Sequence, residues 1–355
     1  MRRKRMMAAV MAAIVVGSLA FLTRLLEPKY MGRIVEGALI AEYYQETTDH
    51  DVIFIGDCEV YENFSPITLW EEYGITSYIR GSAQQLIWQS YYLLEETLQY
   101  ETPEVVVFNV LSMQYNEPQR ESYNRMTLDG MRWSMSKVRD VLASMTEEEN
   151  FLDYVFPLLR YHSRWSELTA DDWTYLFHKD KVSHNGYYMR VDEKPAGTFP
   201  KPKKLGNYQF GDTAYAYLDK ITGLCRENGI QLILIKAPSL YPAWYEEWDQ
   251  QMEEYARDNQ VPYINFLDLQ EEAGLDFATD TYDGGLHLNL SGAEKLSRYF
   301  GKILQQEYGL EDHRQETELA AVWQEKTEFY HQMQAQQEQE LQEYGYIRKF
   351  SEEEE

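Results

Sequence analysis

Residues 51–59 read Asp-Val-Ile-Phe-Ile-Gly-Asp-Cys-Glu, and this stretch decides the fold. Val52 to Ile55 are consecutively apolar, with no polar alternation. A strand of that kind is covered on both faces, as inner strands of parallel sheets are. Gly56 ends the run, and the chain turns polar at Asp57-Cys58-Glu59. Similar short runs recur at Ile75–Ile79, Val105–Leu111, Ile230–Ala237 and Pro262–Phe266. Between them lie stretches of helical periodicity: 83–100, broken by Pro103; 214–228, ending at Gly229; 245–259; and an amphipathic 290–308. The alternation predicts a three-layer α/β/α fold around a central parallel sheet. In such open sheets the functional site lies at the carboxyl ends of the strands.

Outward from this core, the N-terminus carries a different signal. Met1 to Arg5 is MRRKR, and Met6 to Thr23 is an uncharged, largely apolar run. Its length is near the minimum for a transmembrane helix. It ends in Phe21-Leu22-Thr23 and Arg24, not in the small residues of a signal-peptidase site, so a retained anchor is expected. The basic flank predicts a cytoplasmic N-terminus, with everything after about residue 30 outside. The expected division is 1–30 as stub and membrane anchor, 31–310 as the α/β domain, and 311–355 as an acidic helical tail. Residues 112–213 interrupt the alternation and read as a helical insertion, placed to form a lid or substrate-binding subdomain. Within the insertion, 179–211 is rich in Gly, Pro and Lys and reads as loop. The tail is dense in Glu and Gln, with Leu319, Val322, Phe329, Tyr330, Met333 and Leu341 on one helical stripe. It reads as a solvated helix or a partner-binding appendage.

The composition excludes some functions. With 59 acidic against 33 basic residues, a broad nucleic-acid interface is not expected. No zinc-type cysteine spacing exists, and neither a metal nor a cofactor is expected. The two cysteines, Cys58 and Cys225, could bridge in an oxidising compartment.

Chemistry concentrates at two places. Cys58 follows the first strand at the start of a helix, where free amides and the helix dipole favour a thiolate or an oxyanion. His287 lies in Asp280-Thr-Tyr-Asp283-Gly-Gly-Leu-His287-Leu-Asn289, a Gly-rich loop before the last helix of the domain. A His there can act as base for the thiol, with a carboxylate fixing its tautomer. Asp283 is the first candidate for that carboxylate and Asp280 the second. Glu59 and Glu62 are expected to face solvent, since inward carboxylates would raise the thiol's pKa. The cluster Tyr161-His162-Ser163-Arg164-Trp165 reads either as a glycan or acyl-phosphate subsite or, more simply, as packing. His178 and His184 lack metal-ligand spacing. Lys201, Lys203 and Lys204 read as a solvated loop.

The order of these blocks resembles the SGNH (GDSL-like) hydrolase superfamily, whose fold is flavodoxin-like. More narrowly it is similar to the membrane-anchored branch with D-alanyl transfer and polysaccharide O-acetylation proteins. Gly56-Asp57-Cys58 matches the nucleophile block with Cys in the Ser position. His287, followed by Leu-Asn-Leu-Ser-Gly-Ala-Glu-Lys, matches the base block, although Asp283 stands four residues before it where the family has three. The resemblance implies catalytic roles for Cys58, His287 and Asp283, and an oxyanion amide at Gly81. The family's Gly-x-Asn-Asp block is absent, and Asn109 is the nearest substitute donor, with a hydrogen-bonded core Asn as the alternative. The partners implied are a cell-envelope glycan or similar acyl-bearing polymer, the membrane through residues 6–23, and a membrane-bound O-acyltransferase. Three readings stay open: an esterase or acyltransferase, a non-catalytic partner or scaffold for a membrane O-acyltransferase, and a structural surface protein with a Cys58–Cys225 bridge.

Overall fold

A computed structural model of the chain describes residues 2–28, 36–179, 181–199 and 201–353. Five strands, β1 (Val52–Gly56), β2 (Ser77–Gly81), β3 (Val105–Asn109), β4 (Gln231–Lys236) and β5 (Tyr263–Asn265), form one sheet in the order β2-β1-β3-β4-β5. All four pairings are parallel. The expected α/β fold with a central parallel sheet is present. In this order the crossovers leave β1 in opposite directions, and the crevice between β1 and β3 is the topological switch point where ligands bind.

The alternating pleat of β1 explains the two covering layers. Val52 and Phe54 pack with Phe64, Leu296 and Phe300 on one face, under the helices Pro66–Tyr73 and Leu290–Glu307. Ile53 and Ile55 pack with Trp88, Leu218, Ile221 and Met252 on the other, under the helices Ile87–Thr97, Asp212–Glu227 and Glu246–Asn259. The insertion contributes short helices and a small core around Leu128, Val141 and Tyr154, which it shares with Ile40 and with Leu93 of the helix Ile87–Thr97.

The segment read as loop has no helix or strand among its described residues, and it contains a buried strap, Tyr187-Tyr188-Met189, whose neighbour Asn185 accepts the Ile79 amide proton at the β2 edge. One expectation needs correction. The tail is not a solvated appendage. Its helix Thr317–Tyr344 buries Trp323 and Tyr330 completely, Trp323 stacks on Trp70 at 5.1 Å, and the following Ile347 and Phe350 are also buried. The N-terminal helix Arg2–Leu26 is long and apolar enough to cross a membrane.

Candidate active site

β1 delivers the nucleophile candidate. After Gly56, Asp57 caps the short helix Cys58–Tyr61, its carboxylate accepting the Glu59 amide proton at 3.2 Å. Cys58 is the first residue of that turn, at the carboxyl edge of the sheet, and its side chain is only partly buried. Cys58 and Cys225 are both free thiols. Cys225 is buried in the core on the other face of the sheet, so the bridge reading is wrong.

The loop before the helix Leu290–Glu307 delivers the base candidate. Gly284 and Gly285 have φ of 88° and 106°, a left-handed bend that side chains with a Cβ resist. The bend folds Asp283 back under His287. Oδ1 of Asp283 accepts the amide protons of Leu286 and His287 at 3.1 and 2.9 Å, and Oδ2 accepts from Nδ1 of His287 at 2.7 Å. These two glycines let Asp283 reach the imidazole from four residues away. With Nδ1 donating to Asp283, Nε2 is left as the proton-accepting nitrogen of the neutral ring. The Cys58 thiol and the imidazole interact closely enough to perturb one another's titration. Nε2 itself makes no hydrogen bond of good geometry, so the approach is looser than a formed bond. Such loose alignment is common in substrate-free sites.

Asp280, the second carboxylate candidate, is elsewhere. It is fully buried, paired with Lys295 at 2.7 Å and accepting from the Ser291 hydroxyl at 2.9 Å, where it fixes the start of the last domain helix. Asn63 ties the two halves of the site together: its Oδ1 accepts the Leu288 amide proton at 2.8 Å, and its Nδ2 donates to Ser239 at 3.2 Å.

The two glutamates near Cys58 do not face solvent as expected; both are buried. Glu62 accepts a hydrogen bond from the Tyr282 hydroxyl and lies 3.5 Å from Nδ1 of His287. The Tyr282 ring lies parallel to the imidazole, and the Arg190 guanidinium covers its surface at 4.3 Å. Glu59 is held by Lys236, whose ammonium donates to both carboxylate oxygens at 2.9 and 2.8 Å and to the Ala237 carbonyl at 2.7 Å. Asn109 completes this network. Its Nδ2 donates to Asp57 and to Glu59, each at 3.0 Å, and its Oδ1 accepts the Ala237 amide proton. Asn109 is therefore a hydrogen-bonded core residue with both amide hydrogens committed, and it offers no spare donor to an oxyanion.

The electrostatics follow from this burial. Desolvation pushes the Cys58 thiol up to about 12, further raised by Asp57 and Glu62 and opposed by His287. Desolvation also lifts Asp57 to about 7, with Glu59 adding to the rise and Asn109 and Lys236 resisting it. Burial pulls the His287 pKa down, but the charges of Glu62 and Cys58 and the hydrogen bond to Asp283 outweigh it and leave it well above the ordinary imidazole value. Tyr115, just past β3, is raised by desolvation and then by Asp57 and Cys58, so its phenol belongs to the same electrostatic neighbourhood.

Gly81 pairs with Gly56 across β1 and β2. A Cβ there would sit 3.0 Å from the Gly56 carbonyl oxygen and 3.5 Å from that of Asp57, so glycine lets the β2 backbone approach the nucleophile turn without crowding it. The remaining sequence candidates fall outside the site. Tyr161 is buried in the insertion, and Arg164 donates to the Leu26 carbonyl and to Asp172. His184 is buried against Phe329 and lowered by desolvation to about 3. His178, Lys201, Lys203 and Lys204 are exposed. Among the described residues, no group of His, Cys, Asp and Glu side chains has the makings of a metal site.

No protein-family model matches the chain, and no curated protein matches it in sequence. Among solved structures, it is similar to a proposed acylhydrolase from Bacteroides fragilis at 12% identity and a TM-score of 0.37, over 75% of this chain and 94% of the other. It is likewise similar to a GDSL-like lipase from Bacteroides thetaiotaomicron at 12% identity and a TM-score of 0.36, over 78% and 98% of the two chains.

Proposed function

We propose that this chain is a membrane-anchored SGNH-type esterase or acyltransferase, working outside the cytoplasm on a cell-envelope glycan or similar acyl-bearing polymer. The observation that carries this reading is one imidazole, His287, with Asp283 on Nδ1 at 2.7 Å and Cys58 near enough that thiol and imidazole shift one another's titration. In the proposed reaction neutral His287 takes the thiol proton as sulfur attacks the acyl carbonyl carbon. The departing alkoxide recovers that proton from the imidazolium, leaving a thioester on Cys58. Water or an acceptor hydroxyl then attacks the thioester, losing its proton to His287, and the thiolate leaves and is reprotonated. The Gly81 amide, in the strand beside the nucleophile turn, is the candidate oxyanion donor.

Intact-mass analysis after exposure to an activated acetyl ester tests the reading. One acetyl per chain is expected, absent from Cys58→Ala and present in Cys225→Ala. An adduct that survives Cys58→Ala overturns it.

A second reading, a non-catalytic partner of a membrane O-acyltransferase, is favoured by two particular observations. The thiol is pushed up to about 12, and Asn109 is committed to Asp57 and Glu59. No acyl adduct on an intact, folded domain would select it.

For the anchor and its orientation, protease added outside intact cells should digest the α/β domain. Protection of that domain alongside a cytoplasmic control overturns the topology.

A further inference from the structure

We propose that the insertion carries an aromatic shoulder that docks onto the outer leaflet of the bilayer, beside the exit point of the N-terminal helix. The proposal rests on that helix being a retained membrane anchor.

Six large apolar side chains of the insertion, Leu152, Phe156, Leu159, Trp165, Trp173 and Phe177, are between 48% and 86% exposed. Such clustering on a charged, acidic chain marks a surface made to be covered. The occupant is identified by where the cluster sits. The insertion helices Leu158–Tyr161 and Ala170–Tyr175 contact the N-terminal helix, Arg164 donates to the Leu26 carbonyl at 2.8 Å, and the Trp173 ring meets the Phe21 ring at 6.4 Å.

The depth follows from helix geometry. Met6 to Thr23 spans about 27 Å at ~1.5 Å per residue, close to the ~30 Å of a hydrocarbon core. Phe21 is two residues from the outer end of that run, so it lies within about 3 Å of the hydrocarbon boundary. A ring in contact with Phe21 lies at the same depth. Trp173 is therefore at the interface whenever the helix spans, which is where indole rings, apolar with one polar N–H, partition best.

Residues 151–179 carry four acidic and three basic side chains, so the attraction is apolar and not electrostatic. The shoulder is thus continuous with the anchor, and docking fixes how the α/β domain is oriented over the membrane.

The test uses the full chain in phosphatidylcholine nanodiscs whose lipids carry bromine near the headgroup end of the acyl chains. Brominated lipid should quench part of the tryptophan emission, and W165F/W173F, which keeps the face apolar, should lose most of that quenching. The quenching should not change between low and molar salt. Alkaline carbonate extraction separates the two ways of failing. Release of the full chain from membranes overturns the anchor and the shoulder together. Retention with unquenched Trp165 and Trp173 overturns the shoulder alone and hands this face to a protein partner.

Discussion

Lys236 and Glu59 form an ion pair at 2.8 Å in which neither side chain is exposed. Lys236 ends β4 and Glu59 follows the nucleophile candidate, so the pair binds the Cys58 turn, at the end of β1, to a strand on the far side of β3. Removing one partner leaves the other charge buried and uncompensated, which costs about 3–5 kcal/mol. Lys236→Met should therefore lower stability by that order in urea denaturation. The double variant Lys236→Met/Glu59→Leu should cost less than the single one. Equal or greater loss in the double variant would show that the pair is not balanced as described.

Asp283 and Asp280 should separate cleanly under mutation. Asp283 holds Nδ1 of His287, so Asp283→Asn should slow acyl transfer by about 10²- to 10⁴-fold with little loss of stability, the wrong tautomer being the cause. Asp280 pairs with Lys295 and has no contact with the imidazole. Asp280→Asn should lower the melting temperature and leave the rate of the folded fraction unchanged. Burst kinetics and thermal melts on the two variants decide this, and a reversed pattern would exchange their roles.

The titration of His287 gives a signed pH dependence. A base must be neutral to accept a proton, and this imidazole is raised well above its usual value of ~6.5. Activity should therefore rise with pH along a limb displaced above that value. Glu62 is the largest raising influence, so Glu62→Gln should move the limb to lower pH. Stability runs the other way. A raised histidine stabilises fully below about 6.5 and loses that contribution as pH climbs through its folded value. Wild type should lose stability over the window in which it gains activity, and His287→Ala should flatten that loss. A rate limb at or below pH 6.5 in wild type would remove the argument.

Much of the framework was legible because it depends on local pattern. The unbroken Val52–Ile55 run marked β1 as an inner strand of the sheet, and the strands at Val105 and Ile230 were readable for the same reason. The boundaries of β2 shifted, from Ile75–Ile79 to Ser77–Gly81, because its polar Arg80 is buried by partners and not by pattern. Arg80 is paired with Glu96 and sits over the Tyr43 ring at 4.1 Å. The site's polar underpinning was not legible. Lys236 finds Glu59 across 177 residues of sequence, and Glu62 finds Tyr282 across 220. A carboxylate near a thiol reads as solvent-facing until such a distant partner is known. The strap Tyr187–Met189 has no strand or helix period, so only tertiary contact reveals that it is buried.

The tail supplies the last prediction. Its Glu- and Gln-rich sequence suggested solvent, but two aromatic residues decide its place. Trp323 is fully buried and stacked on Trp70, and the buried Tyr330 exchanges hydrogen bonds with Ser65 and Glu294. Ser65 caps the helix Pro66–Tyr73, so the tail closes the same hydrophobic layer that supports β1. Truncating a fully buried Trp to Ala costs about 3–5 kcal/mol, from lost transfer energy and the cavity left behind. Trp323→Ala should therefore unfold the domain at markedly lower urea, while Gln336→Ala on the exposed side of the same helix should change little. A chain ending at residue 310 should expose Trp70 and aggregate. If that shortened chain is soluble and as stable as the full one, the tail is an appendage after all.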